Sequence, residues 1–205
     1  MKKINNSFTK SVQKISLVLA LGIFASGTAI AAEKAPDPAK MKKLKEIMMH
    51  QISLMKPELQ KKVKALSPKT QKSLMKILSQ HTRYSDRITL RQVMHEVLSD
   101  YQSLVAGVMT DNPDQAAASA RRLANHRIPA GGLLPYLGLE NINDGQLAVL
   151  ETFNDSVEGE ALKLAKAADA GDMGAAAIHL GKISSGCVAC HQVFRSQPGV
   201  SDLLR

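Results

Sequence analysis

Hydrophobic residues recur every three or four positions along most of the chain, which is the spacing of an amphipathic helix. The first such stretch covers residues 39–66, where Pro57 is expected to bend or split the helix. Ser67 followed by Pro68 is typical of an N-cap residue followed by proline at the first helical position. The hydrophobic pattern continues from there to about His81. This part of the chain is therefore expected to be helical.

The remaining hydrophobic pattern predicts four more amphipathic helices. Alternating runs of β-branched residues, which are typical of strands, are few, so the expected fold class is all-α. Four successive helices predict an antiparallel four-helix bundle, preceded by the helical extension. A connection rich in Gly and Pro, residues 127–144, is expected on the surface. The four helices are expected at about 88–110, 114–126, 146–170 and from 172 onward.

The last predicted helix carries the two cysteines of the chain, Cys187 and Cys190, followed directly by His191. Cys-x-x-Cys-His is the attachment sequence of a c-type haem, in which both cysteines form thioethers and the histidine ligates iron. A zinc site would need further ligands at matching spacing, and a thioredoxin-like pair would need a βαβ context. The motif predicts one covalently bound haem c, attached through Cys187 and Cys190, with His191 as metal ligand.

The N-terminus has the organisation of a signal peptide. Four lysines and no acid lie in residues 1–14, an apolar run follows over 15–25, and Ala29 and Ala31 supply the small residues of a cleavage site. The apolar run is short for a membrane crossing, although a retained anchor is the alternative. We expect a signal peptide over residues 1–31 and a periplasmic protein, which is the compartment that covalent haem attachment requires in most bacteria.

The formal charge of +9 is distributed unevenly. Residues 33–87 contain 14 Lys and Arg against 5 Asp and Glu, whereas residues 88–205 contain 9 against 13. The predicted organisation is thus a Lys-rich helical extension over 32–87 and a cytochrome domain over 88–205. A basic block can mark nucleic-acid or membrane binding. Export argues against nucleic acid, and membrane contact is expected only through the basic extension.

Two sequence motifs together resemble the class II c-type cytochromes, the group that contains cytochrome c prime and its low-spin relatives. The first predicted bundle helix contains Leu-Arg-Gln-Val-Met, ending at Met94, and the last contains Cys-x-x-Cys-His-x-x-Phe-Arg, ending at Arg195. The resemblance covers about residues 90–195. It implies a four-helix bundle, a fold known for cytochrome c prime. It also implies that His191 is the fifth iron ligand and that Met94 is the candidate for the sixth.

The sixth ligand has alternatives. Met94 shares a helical stripe with Val97 and Tyr101, whereas His95 falls on the polar side, but methionine at such spacing also serves as core packing. Many five-coordinate relatives place their distal residue four positions after an arginine, and that position here, after Arg91, is His95. An empty sixth site is the third alternative. Arg91 and Arg195 are expected to pair with haem propionates.

The expected function is electron transfer by a periplasmic monohaem cytochrome, with periplasmic redox proteins as partners. We do not expect an enzyme, because the sequence has no nucleophile elbow and no credible catalytic carboxylate pair. A five-coordinate gas-binding or sensing protein is the main alternative, and a binding or assembly protein with a structural haem is another.

The apolar stripe of the extension must be covered by the bundle, a second copy of the chain or a redox partner. The histidines outside the haem region are interpreted as surface or structural residues: His50, His81, His126 and His179.

Overall fold

The computed structural model describes residues 37–129 and 131–195, without the side chains of Lys40 and Gln51. These residues form an all-α protein, which confirms the predicted class. Their β structure is limited to a parallel pair of two-residue strands, β1 (Tyr84–Ser85) and β2 (Ile128–Pro129). The predicted signal peptide over 1–31 lies outside the described residues. Within the described ranges, no helix has both the length and the hydrophobicity of a membrane span.

The extension forms three helices: α1 (Pro38–Leu54), α2 (Pro57–Lys64) and α3 (Pro68–Gln80). Pro57 splits the first predicted stretch, because α1 ends before it and α2 begins at it. Ser67 caps α3 and accepts a hydrogen bond from the backbone N–H of Thr70. Both features confirm the prediction from the local sequence.

Helices α4 (Leu90–Met109) and α5 (Pro113–Ala124) form an antiparallel pair. Thr89 and Gln92 form a capping box at the start of α4. A Cβ at Gly107 would lie 2.6 Å from the backbone nitrogen of Ala116, so glycine allows the two helices to approach closely where they turn.

The helix predicted at about 146–170 is interrupted, so the prediction of one continuous helix is wrong. The structure has α6 (Asp144–Leu147), α7 (Leu150–Asn154), a π-helical turn (Asp155–Gly159) and α8 (Glu160–Asp169). A π-turn inserts one residue into the helical repeat and so changes which side chains face the neighbouring helices. Hydrophobic periodicity alone does not reveal such an insertion.

The last helix, α9 (Met173–Phe194), begins where the sequence predicts. Gly171 has a φ of 73°, the left-handed conformation that commonly ends a helix, and Asp172 caps α9 by accepting a hydrogen bond from Ala175 at 2.9 Å. A short turn therefore connects α8 to α9.

One buried cluster is shared by α4, α5, α8 and α9. Its members are mostly leucine and alanine, and the small side chains allow close helix packing. The fully buried residues of this cluster include Leu104, Ala116, Leu123, Ala161, Leu164 and Ile183.

A second cluster covers the apolar stripe of the extension. Side chains of α1, α2 and the segment before α3 pack there against residues 134–150. The prediction that the connection at 127–144 lies on the surface is therefore only partly right, because Leu134 and Ile142 are buried. The connection also contains two short 3₁₀ turns, Leu134–Tyr136 and Leu139–Asn141, whose other residues are at least partly exposed. The buried members are Ile52, Val63, Leu66, Leu134, Ile142, Leu147 and Leu150.

Candidate functional site

The predicted attachment motif occupies the last two turns of α9. Cys187 packs against the cluster shared by the four helices, and both Cys187 and Cys190 are half-buried, whereas His191 is exposed. Burial raises the pKa of both thiols, and the proximity of Cys187 adds to the rise at Cys190. Redox-active cysteine pairs have lowered thiol pKa values, so this environment does not favour a thiol–disulfide function.

The backbone just before the motif is held against the π-turn. A Cβ at Gly186 would lie 2.6 Å from Oγ of Ser156 and 2.9 Å from Cγ2 of Val157. Glycine therefore permits α9 to approach the π-turn more closely than any other residue could. This contact fixes the position of Cys187 from one side of α9.

Helix α4 contacts α9 through a side-chain hydrogen bond of 2.6 Å between Oη of Tyr101 and Oγ of Ser184. Val97, Tyr101 and Val105 pack on the shared cluster, as their stripe predicts. Met94 and Leu98 belong to the same stripe, but they are 38% and 50% exposed. The apolar stripe of α4 is thus only partly covered by the described residues.

The other candidates on α4 and α9 are exposed. His95 follows Met94 and is rotated about 100° around the helix from it, so it points away from the stripe, as predicted. Arg91 lies near the start of α4, and Arg195 is the residue that follows α9. Neither arginine forms an ion pair within residues 37–129 and 131–195.

These residues fit a covalently bound haem. A porphyrin is a flat apolar group with two carboxylates, so it needs uncovered apolar side chains and nearby cations. The motif helix, the residue that follows it and α4 offer both: large hydrophobic side chains left exposed, and two guanidinium groups that form no ion pair with other described residues. The exposed hydrophobic residues on these helices include Met94, Leu98 and Val188.

A second group of ligand-type side chains is formed by residues outside the motif. His81 follows α3, His126 follows α5, and both contact Glu158 of the π-turn. Their interpretation as structural or surface residues did not anticipate this convergence. Dozens of residues separate the three in the sequence, and the π-turn that presents Glu158 has no clear sequence signal.

No known protein family model matches this chain, and no curated protein or solved structure matches it either.

Proposed function

We propose that this chain is a periplasmic monohaem c-type cytochrome that transfers electrons. In this proposal, haem is bound through Cys187 and Cys190, and its iron is held by His191 and Met94. Helices α4 and α5, the interrupted helix α7–α8, and α9 form an antiparallel four-helix bundle around it. The observation that carries the proposal is the Cys-x-x-Cys-His sequence on the helix that faces the partly uncovered stripe of α4.

Contacts between successive helices fit such a bundle. Between α5 and the following helix, Arg121 pairs with Asp169 and the later residue His126 contacts the earlier residue Glu158. Later residues of the first segment thus contact earlier residues of the second, as expected for antiparallel helices. The pair α8 and α9 is joined by the short turn at Gly171 and is antiparallel as well.

This topology brings the two proposed iron ligands to the same level. In an antiparallel bundle, α4 and α9 run in opposite directions. Met94 lies seven residues before Tyr101, and His191 lies seven residues after its partner Ser184. Seven residues are almost two helical turns. Each ligand residue is therefore displaced by about 10 Å along its helix axis from the hydrogen-bonded residue and lies on nearly the same side of its helix.

The roles of the side chains follow from this arrangement. The haem supplies reversible one-electron chemistry at iron when it is bound. Methionine opposite histidine raises the reduction potential of haem iron. Arg91 and Arg195 balance the propionate charges. Cys187 and Cys190 fix the macrocycle beside the shared cluster, where apolar burial favours the less charged ferrous state.

The lysines of the extension supply a surface for partner proteins. Among the described side chains, these lysines are exposed along α1, α2 and α3. A positive surface increases the association rate with an acidic redox partner and makes that rate sensitive to ionic strength. The same surface is the part of the molecule that would contact anionic lipid. The exposed lysines include Lys42, Lys43, Lys45, Lys61, Lys62, Lys64, Lys69 and Lys72.

Intact mass and absorption of the chain, made in cells competent for cytochrome maturation, test the proposal. We expect a processed polypeptide carrying one haem, and loss of the covalent haem when Cys187→Ser and Cys190→Ser are combined. The absorption spectrum of the ferric protein should be low-spin.

Two results would change the proposal. A chain with no added haem would exclude a c-type cytochrome. A covalent haem with a high-spin ferric spectrum would instead support the five-coordinate gas-binding protein, because the sixth position would then be open to a small ligand.

A further inference from the structure

We propose that His81, His126 and Glu158 form a binding site for a divalent transition-metal ion, with Zn²⁺ as its representative. The site is separate from the proposed haem ligands. It joins the end of α3 to the end of α5 and to the π-turn before α8.

The three possible ligand atoms converge on one point. Nε2 of His81 lies 3.1 Å from Oε1 of Glu158, and Nε2 of His126 lies 3.2 Å from the same oxygen. All three atoms are within 4.8 Å of one another. A tetrahedral zinc ion about 2 Å from each ligand requires ligand atoms that are about 3.3 Å apart, close to the two nitrogen–oxygen distances.

The outer hydrogen bonds place the lone pair of each imidazole toward this point. Nδ1 of His81 lies 3.2 Å from the carbonyl oxygen of Ile77, and Nδ1 of His126 lies 2.9 Å from that of Arg127. A carbonyl can only accept, so both Nδ1 atoms carry the proton in the neutral rings and leave Nε2 unprotonated. A backbone carbonyl behind a histidine is a common outer partner of metal-bound imidazole.

Without a cation, this arrangement leaves a buried polar atom unsatisfied. His81 is 2% exposed, and its Nε2 has no hydrogen-bond partner among the described residues. Two neutral imidazoles would also direct lone pairs at one carboxylate oxygen. A metal ion satisfies all three acceptors together.

The surrounding structure holds the two histidines in place. Asn125, which precedes His126, accepts a hydrogen bond of 3.0 Å from the backbone N–H of Thr82, which follows His81. The pairing of β1 with β2 fixes the same two segments a few residues further on. The ring centroids are 4.9 Å apart in an edge-to-face arrangement, so both rings are oriented before any ligand binds.

The donor set identifies the class of ion. Two imidazole nitrogens and one carboxylate oxygen suit zinc and neighbouring divalent transition metals, whereas Ca²⁺ and Mg²⁺ prefer oxygen ligands alone. The side chain of His126 keeps 14% exposure, which leaves an approach for the ion and for water as a fourth ligand. The buried position of His81 favours a structural role that links the extension to the helices behind it.

Equilibrium dialysis against Zn²⁺ tests this site on the full mature chain. Because free thiols of the haem motif also bind zinc, the measurement is made both on haem-loaded protein and on the Cys187→Ser, Cys190→Ser variant. We expect one bound ion per chain in both. His126→Asn and Glu158→Gln should each weaken binding by on the order of 100-fold or more, beyond the usual cost of losing an outer partner.

The matched control is His179→Asn. His179 also contacts a glutamate, with Nδ1 2.6 Å from Oε2 of Glu160, but it is not part of a three-residue convergence. It should retain full zinc affinity. Circular dichroism verifies that each variant is folded. Co²⁺ gives a second measurement: its spectrum should show nitrogen and oxygen ligation without a thiolate charge-transfer band.

Three results would overturn the site. One is no stoichiometric binding to the folded protein. Another is zinc binding that disappears with the cysteines and is unaffected by His126→Asn. The third is an equal loss of affinity in His179→Asn. Since none of these measurements depends on the haem spectrum, failure of the metal site and failure of the proposed cytochrome function are distinguishable.

Discussion

Tyr101 and Ser184 form a 2.6 Å hydrogen bond that joins α4 to α9, the helix that carries the Cys-x-x-Cys-His sequence. Met94 precedes Tyr101 by the same number of residues by which His191 follows Ser184. The shared core covers both helices near the hydrogen bond, but it does not cover Met94 two turns away. The uncovered part of the α4 stripe therefore lies where we propose that haem binds.

Met94→Ala should convert the ferric protein from low-spin to high-spin. The substitution removes the only thioether that the proposal places on iron, so the methionine-to-iron charge-transfer band in the far red should disappear. The reduction potential should fall, because methionine ligation favours the ferrous state. Absorption spectroscopy and a redox titration measure the two effects.

Leu98→Ala and His95→Ala are the controls for this substitution. Leu98 is an exposed apolar residue of the same stripe, and His95 is the alternative ligand on the next position of the helix. Both variants should keep the band. Loss of the low-spin spectrum in His95→Ala, with no change in Met94→Ala, would assign the sixth position to His95.

Gly186→Ala should destabilise the protein. The added methyl would lie 2.6 Å from Oγ of Ser156 and 3.0 Å from the carbonyl oxygen of the same residue, so the π-turn or α9 must move. Overpacking of this kind costs roughly 1–3 kcal/mol. Thermal unfolding of the wild type and of Gly186→Ala, prepared in the same way, measures the change.

Gly181→Ala provides a matched control within α9. Apart from its adjacent residues and the backbone of its own helix, a Cβ at Gly181 would lie more than 4 Å from every described atom, so the substitution meets open space. It should stabilise the helix by about 0.5–1 kcal/mol, since alanine has the higher helix propensity. Equal destabilisation by the two substitutions would contradict the close approach at Gly186.

Glu160→Gln should reduce the loss of stability at acid pH. The hydrogen bond from Lys163, at 2.5 Å, and that from His179 lower the pKa of Glu160 to about 2 against the opposing effect of burial. A lowered folded-state pKa stabilises the protein above the ordinary value of 4.5, and this contribution is lost as the pH falls from 4.5 through about 2.

We expect the free energy of unfolding of the wild type to fall by about 1 kcal/mol more than that of Glu160→Gln over this range, after allowance for screening at the exposed lysines. This corresponds to roughly 2–4 °C in Tm. Glu46→Gln is the control, because Glu46 is exposed on α1 and forms no ion pair within the described residues. Parallel pH profiles for the wild type and Glu160→Gln would contradict the role of Glu160.

Asp144→Ala should loosen α3 without unfolding the shared core. One oxygen of Asp144 accepts hydrogen bonds from Oγ1 of Thr70, at 2.5 Å, and from both the backbone N–H and Oγ of Ser67. These hydrogen bonds lower the pKa of Asp144, and the one from Thr70 contributes most. Amide hydrogen exchange in α3 should become faster, whereas α9 should keep its protection. Asp86→Asn, at an exposed position outside this network, should leave both unchanged.

Helix ends were predictable from the sequence because they depend on neighbouring residues. Pro57 and Ser67 each act within one turn of their own position, and the structure has the expected boundary at both of them. The positions of the Cys-x-x-Cys-His sequence and of Met94 along the chain could likewise be identified from the residues themselves. Such signals identify candidates without giving distances between them.

The π-turn and the histidine cluster were not predictable in this way. Glu158 faces His81 and His126 because an extra residue is inserted into the helical repeat, and sequence periodicity averages over such an insertion. The burial of the connection has a similar cause. Its hydrophobic residues are too irregularly spaced for a helix, so only the tertiary packing against the extension reveals that they are covered.

Coverage of the extension by the connection also limits how the protein can be shortened. A fragment beginning at Thr89 would retain the four helices that share the first buried cluster. It would leave Leu134, Ile142, Leu147 and Leu150 without the aliphatic neighbours in the extension that shield them from water. Exposed patches of this kind promote self-association. The amino-terminal helices thus shield these residues within the molecule, and a chain shortened to this fragment is expected to need a solubilising replacement for them.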